Sequence, residues 1–531
     1  MVLSYMMRNI FKNIALVLFV AVALLLTVRG LPGNPTPTQL NTLAWKDNGP
    51  FELSPERGRY TLLYSLVENH SFYLQPDLAK FTAPDVGYIN NHYVSIFAPS
   101  VSFLAIPGYV IGKYFNLAQV GAFAWMTLFA LLNVILIRAI AIRLGAHPLA
   151  ATIAGLTFLF ATPSFPYAVT IYEHQPSTFL LLLSFYLLIR FKSIYSLFAI
   201  WILYAFAFTV DYPNLFIMLP IAVAAFFKSF NLEKIHKKVV VHISFPRIFT
   251  VLGVVIPLAF LLWVNQQSYH SPLRISGTVP TVESVSNSGK PIFLSTLEQA
   301  QLKKSKAPTN VPPPSALTFF NPRDMLNGFY ILLISPDRGI LVYAPVVLFG
   351  LAGIIYAGKR KEKYVPVLAG VIGFNFILYS MWGDPYGGWA FGGRYLIPAY
   401  AILSIYVGLL LSWFGRKNLL LLLFFITFSY SVVINTLGAV TSNSNPPQIQ
   451  AAALSEQLHQ RVDYTFIRNF NDLNNNVSKS FIFQTYGINR ITAWDYYTYV
   501  AFFILGVCSL FIISFYVDMR KKIKREGRHA V

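Results

Sequence analysis

The sequence holds a single cysteine, Cys508, and that residue falls inside an apolar run. An intrachain disulfide is excluded, and thiols carry no compartment signal. Charge is scarce as well. Asp, Glu, Lys and Arg make up 12% of 531 residues, about half the share of an ordinary soluble protein. Hydrophobic residues reach 55% and cluster in repeated blocks. Blocks of about 17–25 residues, or somewhat fewer, are what a bilayer-crossing helix needs. A soluble domain is excluded, and the fold class is an all-α polytopic membrane protein. Acids are the scarcer charge, 21 against 41 Lys and Arg. That excess suggests nucleic acid as a partner, but the basic clusters stand beside span ends, where they set orientation. Internal repeats, a Walker loop, paired-cysteine metal motifs and heptads are missing. No cofactor and no metal site is expected.

What is present sorts by side of the membrane. Residues 1–13 carry Arg8 and Lys12 and read as a cytoplasmic N-terminus. The apolar run over 14–28 has no convincing signal-peptide cleavage site before Arg29 and is the first span. Residues 100–115 are interrupted by Pro107 and Gly108 and read as interfacial or re-entrant. With that assignment every inward exit meets basic residues, giving about twelve transmembrane helices with both termini cytoplasmic. The membrane core is expected over 14–440, with external loops 30–99 and 265–338. Residues 441–499 form an external loop or small cap, and 500–531 form the last helix and a basic cytoplasmic tail. Shorter external pieces cover 162–177, 211–213 and 382–394.

The first external loop contains SPERGRYTLLYSLVE. Ser54 suits a helix N-cap and Pro55 the first turn, which places Glu56 at the positive end of a helix. Leu62, Leu63, Leu66 and Val67 repeat at helical spacing and predict an amphipathic helix lying on the membrane surface. Glu56 has two readings. It is a general base that deprotonates an acceptor hydroxyl, or an ordinary first-turn acid stabilised by the helix dipole.

The remaining polar groups gather on the same outer side. Arg57, Arg59, Tyr60, Asp85 and His92 lie in the first loop. Tyr172, Glu173 and His174 follow in TIYEHQPS, Asp211 in TVDYPN, and Asp337 and Arg338 in SPDRG. Asp384, Trp389, Arg394 and Tyr395 lie in MWGDPYGGWAFGGRYLIP. Each alone reads as a solvated cap at a span end. Together they supply carboxylates, guanidinium groups and aromatic platforms, as an anionic, sugar-bearing lipid would require. His174 has no second histidine four residues away, so zinc is not indicated. The glycines of GGWAFGGRY follow a membrane span rather than a buried strand, which weakens a nucleotide-cradle reading.

ERGRY after the first span resembles the acidic-x-x-Arg-Tyr element of the GT-C membrane glycosyltransferases. That group contains the protein O-mannosyltransferases and the aminoarabinose transferase of lipid A. GYINNHYVSIFAPSVSFLAIP is similar to their juxtamembrane element, and ATPSFPYAVTIYEHQPS, DYP, SPDRGILVYAPV and WGDPYGGWAFGGRYLIPAY resemble a bacterial and archaeal branch. The resemblance covers nearly the whole chain. It implies a GT-C-like core and inverting transfer of a sugar from a polyprenyl-phosphate donor to an extracytoplasmic acceptor. Glu56 would be the base, where many members have Asp. The acceptor (protein, glycan or lipid) stays open, and membrane lipids are the other partners. Related sequences often carry an acid and a lysine just before Ala-Pro, the lysine meeting the donor phosphate. This chain has Ile96 and Phe97 there. The charge would then come from Arg57, Arg59, Arg338 or Arg394. A transporter or flippase of a lipid-linked precursor, or a non-catalytic homologue, are the alternatives. Related halves, common in transporters, are not seen.

Overall fold

The computed structural model describes residues 2–46, 48–235, 238–293 and 320–528, with side chains over 13–46, 48–230, 242–293 and 320–522. It is mostly helical. The first helix, α1 (Val2–Thr27), leads into the first loop, where α2 (Ser54–Glu68) and the strands β1 (Val86–Ile89) and β2 (His92–Ser95) form. Then follow α3 (Ser100–Tyr114), α4 (Ala118–Arg143), α5 (His174–Arg190), α6 (Ile397–Phe414) and α7 (Asn418–Val440), among further helices. Five helices among the described residues are long and apolar enough to cross a membrane: Ala118–Arg143, Phe245–Tyr269, Arg394–Phe414, Asn418–Val440 and Ala493–Lys522. Shorter apolar helices lie at Asn13–Thr27, Pro148–Phe160, Ile194–Val210, Pro345–Lys359 and Val365–Ser380. Two further apolar stretches are less regular. The one over 178–189 belongs to α5, which opens on the polar His174 and Gln175, and the one over 214–227 is divided at Met218, just before Pro220.

Close backbone approach holds the bundle together. α6 is buried along nearly its whole length, because Gly350 and Gly353 of the helix Leu348–Lys359 let that helix reach its backbone. A Cβ on Gly350 would stand 2.2 Å from the Leu403 carbonyl. Where lipid replaces water, dispersion between such small faces takes over from the hydrophobic effect between helices. The segment with Pro107 and Gly108 does not break. α3 is a continuous helix containing Pro107, and its Gly108 and Gly112 pack against Gly121 of α4. At about 1.5 Å per residue it is too short to cross a hydrocarbon core of about 30 Å.

Loops far apart in sequence meet above the bundle. β1 pairs antiparallel with β2 (Val86↔Ser95) and with β3 (Thr281–Val282) (Val86↔Val282), tying the first loop to the loop after Tyr269. The 441–499 stretch is woven into the core. Lys479 N–H donates to the Val440 carbonyl (2.9 Å), and Phe481 N–H donates to that of Val28 (2.8 Å). The ends of α1 and α7 are thereby joined beside the first loop.

Candidate functional site

α2 begins where the sequence places it, with one change at its cap. Leu53 occupies the N-cap, Ser54 is the first helical residue, and the Ser54 hydroxyl donates to the Asp85 carboxylate. Glu56 fills the third helical position and accepts a hydrogen bond from the Leu53 N–H on Oε2 (3.2 Å). The helix is not a surface element with one wet face. Its first two turns, from Glu56 to Leu63, are buried, polar residues included. Phe97 explains part of this: its ring lies where a Cβ on Gly58 would fall, 2.3 Å away, so only glycine admits it.

Four residues before Glu56, Glu52 anchors an ion group that sequence reasoning missed. Arg29, fully buried at the end of α1, donates through Nη1 to Glu52 Oε2 (2.7 Å) and through Nη2 to the Gly438 carbonyl (2.8 Å) and Asn443 Oδ1 (2.9 Å). The Asn443 N–H donates to the same Glu52 oxygen (2.8 Å), and Lys479 Nζ stands 3.7 Å from the other. Burial alone would raise the Glu52 pKa, but Arg29, Lys479 and the Asn443 amide outweigh it and hold the group ionised below its ordinary value. Glu56 has no such partners. Burial, aided by the Glu52 charge and only partly opposed by Arg29, pushes its pKa up to about 7. Among the described residues, its Oε1 is buried with no hydrogen-bond partner.

Tyr172, Glu173 and His174 converge with Arg59 and Arg394. Arg59 forms an ion pair with Glu173 Oε2, donates to the Pro55 carbonyl (2.9 Å) and lies 4.8 Å over the Phe97 ring. Phe97 is thus covered by a guanidinium. Arg394 sits 5.4 Å over the Tyr172 ring and 6.0 Å over that of Tyr167, and Arg59 sits 5.5 Å over Tyr172. His174 stacks on Tyr172 (5.6 Å, 7° between planes) and lies 3.6 Å from Glu173 Oε1. Burial and then the Glu56 charge drive the Tyr172 phenol well above its usual range. Tyr395 stacks on Tyr379 (4.2 Å), whose hydroxyl is 3.4 Å from Asp211. Burial and then the Glu173 charge raise the Asp211 pKa well above its ordinary value, whereas for Glu173 burial is outweighed by Arg59, His174 and Arg394 together.

The four arginines divide sharply by what they already hold. Arg338 gives Nε to the Tyr386 carbonyl (2.7 Å), Nη1 to that of Asp337 (2.7 Å), and Nη2 to those of Gly388 (2.9 Å) and Asn445 (3.0 Å). Arg57 clamps the Phe51 and Glu52 carbonyls at 3.0 and 2.8 Å. Both are consumed by backbone. Arg394 donates Nη2 to the Gly387 carbonyl (2.6 Å), and its Nε and Nη1 are buried without a hydrogen-bond partner among the described residues. Arg59 Nε is in the same position. The glycine-rich loop that presents Arg394 uses Gly387 and Gly388 at φ of 74° and 63°, with Asp384 accepting the Gly388 N–H (2.6 Å). These glycines serve a turn.

Other candidates sit elsewhere. His92 is exposed and stacks on Tyr73 (4.1 Å). Trp389 donates to Gln450 (2.6 Å) on an exposed face. Asp337 accepts from Ser335 and from the Gln448 N–H (3.3 Å). Tyr60 packs in the core against Phe51 (4.6 Å). No group of three or more His, Cys, Asp or Glu side chains among the described residues could hold a metal ion. Tyr167 lies within ATPSFPYAVTIYEHQPS but is not among the candidate residues; its hydroxyl accepts the Phe391 N–H (2.9 Å). Its position next to TIYEH was the available signal.

No family model matches the chain, and no curated protein matches its sequence. The crystal structure of ArnT from Cupriavidus metallidurans in the apo state is similar, with TM-score 0.42 and 13% identity over 97% of this chain and 77% of that one. The crystal structure of ArnT from the same organism bound to undecaprenyl phosphate gives TM-score 0.43 and 13% identity over 96% and 77%. A likeness at this level assigns no activity.

Proposed function

We propose that the protein is a membrane glycosyltransferase that moves a sugar from a polyprenyl-phosphate donor to an extracytoplasmic hydroxyl, with inversion. The observation that carries this is the set of unsatisfied buried polar atoms around Tyr172: Glu56 Oε1, the Tyr172 hydroxyl, and Arg394 Nε and Nη1. Leaving buried donors and acceptors unpaired costs about 1–3 kcal/mol each, more for charged groups. Such a set persists where a ligand completes it. A free carboxylate oxygen on one side and free guanidinium N–H groups on the other suit a reaction that removes a proton at one end and releases an anion at the other.

In that reaction Glu56 takes the acceptor proton as the hydroxyl oxygen bonds to the anomeric carbon. The carbon–oxygen bond to phosphate breaks on the opposite face, and its electron pair leaves with polyprenyl phosphate. Arg394, with Arg59 behind it, stabilises that phosphate through N–H pairs matched to two oxygens. A base with pKa near 7 is half-ionised at neutral pH and is a stronger proton acceptor than an ordinary glutamate. The same chemistry serves a hexose or a pentose, and protein, glycan and lipid acceptors all present the required hydroxyl.

The test is product formation. Purified protein is incubated with polyprenyl-phosphate hexose and a hydroxyl acceptor. Free polyprenyl phosphate together with glycosylated acceptor is the expected result. Movement of intact donor between leaflets without cleavage would replace this reading with a transporter.

A further inference from the structure

At the opposite end of α4 from the first loop, the ends of several helices surround a second site. A cavity of about 640 Å³ is lined there by Arg143, Arg190, Lys192, Lys228, Arg247 and Lys363. These six arrive from separate places: the end of α4, the end of α5 and the turn after it, the residue after the helix Leu219–Phe227, the short helix Phe245–Ile248, and the turn before Val365–Ser380. Orientation signals require basic residues near span ends. They do not require that the residues meet around one space.

No carboxylate lines this cavity among the described residues. Lys228 is turned to the last carbonyls of α5, donating to Leu188 and to Phe191 (3.2 Å), and Arg247 donates to the Lys228 carbonyl (3.0 Å). Those three contacts fix the floor. Arg143, Arg190, Lys192 and Lys363 are exposed around it. Like charges held this close repel unless an anion sits among them, and the charges of Lys363, Lys192 and Arg247 indeed add to burial in lowering the Lys228 pKa. The other wall is apolar, built from Leu188, Leu197, Phe227 and Val367. A cationic rim above an apolar wall fits an amphiphile with an anionic head.

We propose that this cavity binds the phosphodiester headgroup of an anionic membrane lipid, its acyl chains lying along the apolar wall. Basic pockets between helix ends recognise phospholipid headgroups in this way, and the volume is within the roughly 300–1,000 Å³ of small-ligand sites. The apolar wall favours a lipid over a soluble phosphate compound. The proposal is independent of the transferase reading, because it concerns the other end of the molecule and its test involves no sugar transfer.

Native mass spectrometry of the full-length, delipidated protein tests it, with phosphatidylglycerol and phosphatidylcholine as probes and inorganic phosphate as competitor. Phosphatidylglycerol should bind more tightly than phosphatidylcholine. The triple variant Arg190→Ala, Lys192→Ala, Lys363→Ala should weaken phosphatidylglycerol by about tenfold or more, since each nearby cation contributes about fivefold. The control Lys359→Ala, Arg360→Ala, Lys361→Ala removes the same charge from a neighbouring turn and should change it by less than about twofold. Equal losses in both variants, or no preference for phosphatidylglycerol, would overturn the proposal. So would displacement of the lipid by inorganic phosphate but not by chloride of equal ionic strength, which would point to a soluble ligand. Should the triple variant aggregate, Lys363→Glu compared with Lys361→Glu makes the same distinction.

Discussion

Glu52 and Glu56 stand four residues apart in one loop, both buried, and their surroundings are opposite. Glu52 is surrounded by Arg29, Lys479 and the Asn443 amide, so its charge is neutralised and it serves to join α1, the first loop and the residues after α7. Glu56 has one backbone N–H and a bare oxygen. Arg338 and Arg394 repeat the contrast among cations, the first saturated by carbonyls and the second left with unused N–H groups. Saturated charges hold the architecture together. Unsaturated ones are where a substrate can be recognised.

The largest expected effect follows from breaking the saturated set. Removing one partner of a buried ion pair strands the other charge and costs roughly 3–5 kcal/mol. Arg29→Ala should therefore lower the thermal unfolding midpoint sharply and reduce the folded fraction on size exclusion, and Arg338→Ala should do the same by leaving four backbone carbonyls without their donor, at about 1–3 kcal/mol for each that is buried. Either variant with a native midpoint would remove the contrast.

Next comes Glu56→Gln, read as stability against pH. The native state raises the Glu56 pKa from 4.5 to about 7, so the folded protein binds the proton more tightly than the unfolded chain. The stability contributed by that proton is fully present below about pH 4.5 and is lost as pH rises through about 7. A shift of this size corresponds to roughly 3 kcal/mol. The Gln variant should match wild type in acid and exceed it above pH 8. Glu52→Gln should destabilise at both.

Smaller again is Arg394→Lys. It keeps the charge and loses the planar fork, so donor affinity should fall about tenfold, or about 1.4 kcal/mol, with the melting profile unchanged. The smallest effects belong to residues outside the cluster: His92→Ala should alter turnover by less than about twofold, because exposed positions away from such features stay within about 0.5 kcal/mol.

Much of this contrast was legible before the fold was known, and part of it was not. The start of α2, the place of Glu56 at its positive end, and the choice of TIYEH and Arg394 as candidates follow from local patterns of cap, turn and charge. Arg29 does not, because an arginine after an apolar run reads as an orientation signal; its partner Asn443 lies 414 residues away. Lys479 and Glu52 are hidden for the same reason. Nor can spacing tell which arginine will be consumed by backbone carbonyls. Arg338 and Arg394 look alike in sequence, each near glycines at the mouth of a span. The smooth burial of α2 was also out of reach, since Phe97 and Gly58 fit together only in three dimensions.

The most direct measurement is the pH dependence of single-turnover transfer with wild type and Glu56→Gln at saturating donor. Wild type should rise with a single-proton slope and level off above about pH 7, the value at which Glu56 ionises. Glu56→Gln should be slower by about 10²–10⁴-fold and should lack that rise, while binding donor as tightly as wild type. A Gln variant that turns over at the wild-type rate, or that keeps the same rise with pH, would show that another group takes the proton.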